Sequence, residues 1–214
     1  MRLYYSPASP YARIARIVAA ERDLPLELIA ETGFPPERVL PHNPAMQVPL
    51  LVTDEGPLFG TRLIVEYLMA LPPGVRAGRA FLSSPTRREH HWRDAQILTA
   101  LETLLNSLVN RSYLIWTGVE HRADAPITLD LAERELVRSL RLLDWLEDQA
   151  TQAGFLEGGF SLQDVWLIST LAWTDAREQI PWRGRPKIEA IVHRNAERPS
   201  LQETAPPGSP RSAA

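Results

Sequence analysis

Met46-Gln47-Val48-Pro49-Leu50-Leu51 is the stretch that decides the fold, because it places a proline at the head of an apolar run. The residues that follow Pro49 have the composition of a short buried strand. Proline cannot donate a hydrogen bond to a sheet, so it is excluded from strand interiors and tolerated as the first residue of a strand. We therefore predict that a strand starts at Pro49. On frequency alone, the peptide bond before it is expected to be trans.

A second signal lies in the first eleven residues, Met1-Arg2-Leu3-Tyr4-Tyr5-Ser6-Pro7-Ala8-Ser9-Pro10-Tyr11. Residues 2–5 have strand character, and Ser9-Pro10 opens a helical pattern with Ile14 and Ile17 on one face. Serine is a preferred N-cap and proline a preferred first helical residue. A helix N-terminus offers free N–H groups and the positive end of the dipole, which favour an anion such as a thiolate. Ser9 is therefore either a plain cap or a hydroxyl that serves an anionic ligand.

The remaining pattern predicts strands and helices in the first third of the chain and helices alone afterwards. The predicted strands are 2–5, 26–29, 49–53 and 57–59, and the predicted helices are 10–22, 61–70, about 86–113, 129–149 and one that opens at Ser161. A hairpin turn is predicted across Asp54-Glu55-Gly56, and a loop across residues 33–42. The sequence Ser161-Leu162-Gln163-Asp164 is typical of a capping box, to which we assign a folding role.

Composition narrows the class of protein. The chain has 214 residues, 44% of them hydrophobic, and a formal net charge of -3, which argues against nucleic acid as a partner. No apolar stretch reaches the roughly 18 residues of a membrane span, so we expect no membrane partner and a cytoplasmic location. Cysteine is absent, which excludes disulfides and thiolate chemistry by the protein itself. The histidines show no paired metal spacing, so we expect no metal.

The chain resembles the serine-type members of the glutathione S-transferase superfamily over nearly its whole length, to about residue 204. The motifs that carry the resemblance are Ser9-Pro10-Tyr11 with Arg13, Asn43-Pro44, Val48-Pro49-Leu50, Ile64 with Tyr67-Leu68, Ser161-Leu162-Gln163-Asp164 and Arg198-Pro199-Ser200-Leu201. The resemblance implies an α/β thioredoxin-like N-terminal domain (1–71), a linker (72–82), an all-α C-terminal domain (83–204) and a disordered tail (205–214). It also implies that the Val48–Pro49 bond is cis.

The activity that the resemblance implies is attack of the glutathione thiolate on a small hydrophobic electrophile, with glutathione as co-substrate. Ser9 would then donate its hydroxyl hydrogen to the sulfur. Ser6 is the rival hydroxyl, although it lies before the turn. Tyr4 and Tyr5 also carry hydroxyls, but neither is at a helix start and strand alternation places one of them in the core.

The glutathione site implied by the family comprises Gln47, Val48, Pro49, Thr61 and Arg62. The backbone of Val48 would pair with the cysteinyl unit, and Thr61 would be the N-cap that binds the γ-glutamyl carboxylate. Relatives usually have an acid where this chain has Gly60, so a contact to the γ-glutamyl ammonium is missing. Arg62 or Arg13 could compensate for the basic residue that many relatives have in place of Gln47.

The electrophile pocket implied by the family is lined by Tyr11, Asn106, Tyr113 and Trp116, with Arg111 and Trp173 as further candidates. For each of these positions a core or interface role is the alternative.

The resemblance further implies a homodimer, with Leu63, Tyr67, Met69 and Trp92 as its apolar contact residues. Arg87, Arg88 and Arg93 could pair with Glu66 across that interface. Two other functions stay open at this point: a non-catalytic protein of the same fold that binds a small molecule or a protein, and a glutathione-dependent dehalogenase or isomerase.

Overall fold

The computed structural model describes residues 1–33, 36–75, 81–82, 84–118, 130–177 and 179–208. In chain order its elements are β1 (Arg2–Tyr5), α1 (Pro10–Glu21), β2 (Glu27–Ala30), β3 (Leu50–Thr53), β4 (Gly56–Phe59), α2 (Thr61–Ala70), a 3-10 turn (Arg88–His90), α3 (His91–Trp116), α4 (Leu131–Gln149), α5 (Leu162–Asp175), α6 (Pro186–Asn195) and α7 (Pro199–Glu203).

The strands form one mixed sheet in the order β2-β1-β3-β4. Strand β1 runs parallel to β2 and antiparallel to β3, and β4 is antiparallel to β3. Tyr4 lies opposite Leu50, and Leu50 lies opposite Phe59. This is the thioredoxin-like sheet that was predicted, followed by a helical region, so the predicted fold class is confirmed.

The local predictions around the sheet hold to within one residue at each strand end. Pro49 directly precedes β3, and the Val48–Pro49 peptide bond is cis, as the resemblance implied. The capping box at Ser161 is also present: the Ser161 side chain accepts from the Asp164 N–H, and the Asp164 side chain accepts from the Ser161 N–H. These features depend on residues close together in the chain, which explains why sequence predicts them.

The long third helix starts later than predicted. Residues 88–90 form a 3-10 turn, and α3 begins only at His91. The reason is that the Arg87 N–H donates to Asp94 Oδ2 at 2.8 Å, and the Arg87 guanidinium donates to both oxygens of the same carboxylate. Helices α6 and α7 were not predicted, although each has a proline at a first-turn position.

Helix α1 is the element that joins the sheet to the helical region. It packs on α2 on one side and on α5 on the other, and its apolar residues belong to a hydrophobic cluster that extends into α3, α4 and α5. A hydrogen bond also joins α1 to α5: the Ser169 hydroxyl donates to the Pro10 carbonyl at 3.0 Å. Most residues of α1 are therefore buried, among them Ala12, Arg13, Ile14, Ala15, Ile17, Val18, Ala19 and Glu21.

The predicted domain boundaries stay predictions, and part of the predicted linker and tail lies outside the described residues. Helix α2 ends at Ala70, and the chain then passes the end of α1, where the Gly74 N–H donates to the Arg22 carbonyl at 2.8 Å. Among the described residues, no helix has the length and apolar character needed to cross a membrane.

Glu21 anchors the C-terminal segment to the end of α1, so its removal tests this junction. Its carboxylate is 4% exposed and accepts from Arg198 Nη1 at 2.8 Å and from the Ser200 hydroxyl at 2.5 Å. Glu21→Ala leaves both donors without this acceptor and should lower the free energy of unfolding by about 3 kcal/mol in urea denaturation. The matched control is Glu66→Ala, an exposed partner of Arg62, which should cost about 0.5 kcal/mol. Equal losses in the two variants would contradict the anchoring role.

Candidate active site

The topology brings the predicted site residues to one end of the sheet. Because β3 is antiparallel to both β1 and β4, the end of β1, the start of β3 and the end of β4 are neighbours. The N-terminus of α1 at Ser9, the Val48-Pro49 corner and the N-terminus of α2 at Gly60 therefore share this end, which we call the site end of the sheet. Val48 and Gly60, about 40 and about 50 positions after Ser9, thus lie at the same end of the sheet as Ser9.

Ser9 is the N-cap of α1, and its hydroxyl has a free hydrogen. Its Oγ accepts from the Ala12 N–H at 3.2 Å, and its backbone N–H donates to the Ser6 carbonyl at 3.0 Å. Within the described part of the chain, the Ser9 hydroxyl donates to no protein acceptor. The Ser9 oxygen thus accepts a hydrogen bond from the helix, while the hydroxyl hydrogen is available to a ligand at the positive end of α1.

Ser6 has a less favourable position. Its Oγ lies 3.4 Å from the Ala8 N–H, inside the turn that precedes the helix, and it caps no helix N-terminus. Of the two tyrosines in β1, Tyr4 is buried, and Tyr5 lies under the Arg16 guanidinium, whose Cζ is 4.6 Å from the ring centroid. Ser9 is the hydroxyl placed at the helix start.

The corner before Pro49 presents an unpaired backbone. Asn43 is buried and holds this loop: its Nδ2 donates to the Gln47 carbonyl at 2.7 Å, and its Oδ1 accepts from the Ala45 N–H at 2.9 Å. The Gln47 side chain is exposed. Among the described residues, neither the N–H nor the C=O of Val48 has a hydrogen-bond partner. An extended peptide could pair with both groups.

The start of α2 differs from the prediction. The N-cap is Gly60, with φ at +87°, and Thr61 is the first helical residue with no side-chain capping bond, so the prediction of Thr61 as N-cap is wrong. The positive φ explains the shift, because glycine adopts it without the steric cost that a Cβ brings. Space for a side chain exists at this position, since a Cβ on Gly60 would meet no atom within 4 Å.

The two candidate arginines are both engaged elsewhere. Arg62 donates from Nε to Glu66 at 2.8 Å and from Nη1 to Glu102 of α3 at 2.6 Å. Arg13 is buried and donates to the Leu201 carbonyl at 3.1 Å, at the C-terminal end of the chain. Arg13 thus holds the C-terminal segment, and burial together with the neighbouring Arg16 lowers its pKa to about 10.

An aromatic wall extends from the site end of the sheet into the helical region. The Tyr11 hydroxyl donates to Asn106 Oδ1 at 2.6 Å, which joins α1 to α3. Burial raises the pKa of Tyr11, and the nearby Tyr113 raises it as well, so this hydroxyl stays protonated at neutral pH. The rings of Tyr113 and Trp116 lie 6.3 Å apart and are 48% and 77% exposed. The four predicted pocket residues thus follow one another along this wall.

Arg177 lies near the site although no sequence pattern indicated it, and Trp173, a candidate lining residue, lies in the core. Trp173 is 5% exposed and belongs to the core, so it does not line the site. Arg177 covers it, with Cζ 4.6 Å from the ring centroid, and donates from Nη2 to the Ala8 carbonyl at 3.3 Å. No local pattern could have shown this contact, because 169 positions separate the two residues. Among the described residues, no cluster of three histidine or acidic side chains is arranged to hold a metal ion.

Known proteins share both the N-terminal sequence and the fold. Residues 3–76 match the family model described as glutathione S-transferase, N-terminal domain. An uncharacterized GST-like protein of Escherichia coli (strain K12), YibF, is 25% identical over 213 residues, which are 97% of this chain and 99% of that protein.

Two solved structures show the extent of the fold similarity. A glutathione S-transferase from Methylobacillus flagellatus KT with glutathione bound is 24% identical, covering 96% of this chain and 98% of its own, with a TM-score of 0.76. One from Methylobacterium radiotolerans in complex with glutathione sulfonate is 21% identical, covering 100% and 97%, with a TM-score of 0.77. Residues 3–76 thus match the N-terminal domain of glutathione S-transferases, and the chain as a whole shares the fold of these solved structures.

Proposed function

We propose that the protein is a glutathione S-transferase that conjugates the glutathione thiolate to a small hydrophobic electrophile. The observation that carries the proposal is the Ser9 hydroxyl, which caps α1 at the site end of the sheet and donates its hydrogen to no acceptor among the described residues. The match to the glutathione S-transferase N-terminal domain and the glutathione bound in similar structures support glutathione as the co-substrate.

Conjugation requires the protein to favour the ionised form of the glutathione thiol. A free thiol has a pKa of about 8.5, so only a few per cent is thiolate at neutral pH. A hydrogen bond from Ser9 and the positive end of the α1 dipole both favour the anion and lower that pKa. Each unit of pKa corresponds to about 1.4 kcal/mol and nearly a tenfold gain in reactive thiolate.

The remaining groups position the two substrates. The free N–H and C=O of Val48 suit the backbone of the cysteinyl unit, next to the Gln47 side chain and Pro49. Thr61 can offer its hydroxyl and N–H to the γ-glutamyl carboxylate at the start of α2. The wall of Tyr11, Asn106, Tyr113 and Trp116 would receive the electrophile.

A second function, a non-catalytic protein of the same fold that binds a ligand in this cleft, is favoured by one observation. Gly60 supplies no carboxylate for the γ-glutamyl ammonium, and the nearby Arg62 is already paired with Glu66 and Glu102. A missing charge-assisted contact costs about 1.5–3 kcal/mol, or roughly ten- to a hundredfold in affinity. Glutathione titration calorimetry separates the two functions, because the absence of binding at millimolar ligand would leave catalysis without its co-substrate.

We also propose a homodimer. Leu63 of α2 and Trp92 of α3 are 49% and 82% exposed, which is unfavourable apolar surface for an isolated monomer. Ion pairs from Arg87 or Glu66 across this interface would compete with pairs within the chain, since Arg87 binds Asp94 and Glu66 binds Arg62. The interface would therefore rest on apolar contact.

The first test removes the Ser9 hydroxyl. Ser9→Ala should reduce turnover of 1-chloro-2,4-dinitrobenzene with glutathione by about ten- to a hundredfold, with little change in glutathione affinity, because the bond strengthens as the thiol ionises. The control is Ser6→Ala, which should retain activity. A normal rate in Ser9→Ala together with a collapsed rate in Ser6→Ala would transfer the role to Ser6.

The second test restores the missing acid. Gly60→Glu and Gly60→Ala both place a Cβ at φ +87° in open space, so they carry the same backbone strain. If the γ-glutamyl ammonium is otherwise unpaired, the Glu variant should bind glutathione about tenfold more tightly than the Ala variant in calorimetry. Equal affinities in two folded variants would mean that another acid already serves, or that the ligand is not glutathione.

The third test concerns assembly. Light scattering should give about twice the chain mass of 24.1 kDa at micromolar concentration. Trp92→Glu should shift the protein to monomer, whereas Val137→Glu, at an exposed apolar residue of α4, should leave the dimer intact. A monomeric wild-type protein would refute the proposal.

A further inference from the structure

Arg177 approaches the site end of the sheet from the helical region. It follows α5, and its Nη2 donates to the Ala8 carbonyl, one residue before Ser9. Stacking on Trp173 fixes the plane of the guanidinium. Val48, which precedes β3, and Thr61, the first residue of α2, in contrast reach this end from the sheet and from α2. Arg177 is therefore on the side of the second substrate rather than that of glutathione.

Arg177 has no counter-ion among the described residues. The nearby acid Asp175 binds Arg183 through both carboxylate oxygens, each at 2.9 Å, and also accepts from the Trp182 indole at 2.8 Å. Burial lowers the pKa of Arg177, and no carboxylate of the described residues offsets that cost. Its single protein acceptor is the Ala8 carbonyl, so Nε and Nη1 have no partner in the described part of the chain. A half-buried cation in this state attracts an anion.

A second arginine without a counter-ion lies on the same wall. Arg111 of α3, two residues before Tyr113, donates from Nη1 to the Gln179 carbonyl at 3.2 Å and approaches its side-chain oxygen at 3.4 Å. Its Nε is buried and lacks a partner among the described residues, in which the guanidinium donates only to Gln179. Gln179 links Arg111 to the backbone of Arg177, because its Nε2 donates to the Arg177 backbone carbonyl at 3.4 Å.

We propose that the electrophile carries a carboxylate, and that Arg177, assisted by Arg111, binds this carboxylate while the aromatic wall receives the apolar body of the molecule. This inference rests on the proposed transferase function and adds the substrate class. In the step with an aryl chloride, the glutathione thiolate sulfur forms a bond to the carbon that bears chlorine. The carbon–chlorine bond then breaks, and chloride leaves with the electron pair. The thiol proton has already gone to solvent.

The test compares an acid with its neutral ester on one scaffold, 4-chloro-3,5-dinitrobenzoate and methyl 4-chloro-3,5-dinitrobenzoate. For the wild-type protein, kcat/KM divided by the uncatalysed rate should be higher for the acid. Arg177→Gln should lower the acid-to-ester ratio about tenfold or more, through KM for the acid. Arg177→Lys, which keeps the charge, should retain part of the preference. Arg111→Gln should lower the ratio less.

The matched control is Arg183→Gln. Arg183 also stacks on a tryptophan, with Cζ 4.5 Å from the Trp182 ring centroid, but it is paired with Asp175. Its replacement should leave the acid-to-ester ratio unchanged. If Arg177 only stabilised the end of α5, Arg177→Gln would lower both rates together or neither, and the inference would be overturned.

A binding measurement separates this inference from the catalytic proposal. The two conjugates, S-(4-carboxy-2,6-dinitrophenyl)glutathione and its methyl ester, can be titrated by calorimetry without turnover. Tighter binding of the acid conjugate that is lost in Arg177→Gln supports the anion site even if the protein catalyses nothing. Equal affinities for the two conjugates overturn the anion site and leave the transferase proposal intact. If neither conjugate binds, the glutathione proposal fails and this inference fails with it.

Discussion

The burial of α1 between the sheet and α5 is the constraint on which the rest of the structure depends. Its apolar residues complete the core of the N-terminal part on one side and of the helical region on the other. Two of its polar residues also join separate parts of the chain, since Arg13 and Glu21 both form hydrogen bonds with the C-terminal segment. A helix held on every side has little freedom to tilt, so its N-terminus is presented to the site in one orientation.

Because α1 is held rigidly, the hydroxyl of Ser9 has a defined position and a defined set of hydrogen bonds. A serine N-cap normally satisfies one helix N–H through its oxygen, and Ser9 does so with Ala12. The remaining hydrogen has no protein acceptor among the described residues, so it faces the ligand side at no cost to the helix. The neighbouring bond from Tyr11 to Asn106 connects the same turn of α1 to α3 and so fixes the position of the aromatic wall relative to Ser9.

The charges around the site are unevenly distributed between its two sides. On the side of β3 and α2, Arg62 is neutralised by two carboxylates, and Gly60 adds no acid. On the side of α3 and α5, Arg111 and Arg177 hold their positive charge through carbonyl and amide oxygens without a carboxylate among the described residues. An anion at this second side would meet preorganised donors, because both guanidinium groups are already held in place.

Gly60 illustrates how backbone conformation decides which side chains a site can contain. With φ at +87°, this position suits glycine, and every other residue would hold it at a cost of about 1–3 kcal/mol. An acid there would have to gain more from its ligand than the strain it introduces. The same conformation moves the N-cap from Thr61 to Gly60, which frees the Thr61 hydroxyl from a capping role.

The sequence by itself determined the features whose signals are local: Pro49 at the start of β3, Ser9-Pro10 at the start of α1, and the Ser161 capping box. Each depends on the conformational limits of one or two residues, which no tertiary contact has to supply. The tertiary structure alone decided where long side chains go. Arg13 donates to the Leu201 carbonyl, Arg87 pairs with the Asp94 carboxylate, and Arg177 donates to the Ala8 carbonyl. A guanidinium can reach several partners from one backbone position, and its choice depends on which oxygens the packed helices leave without a donor.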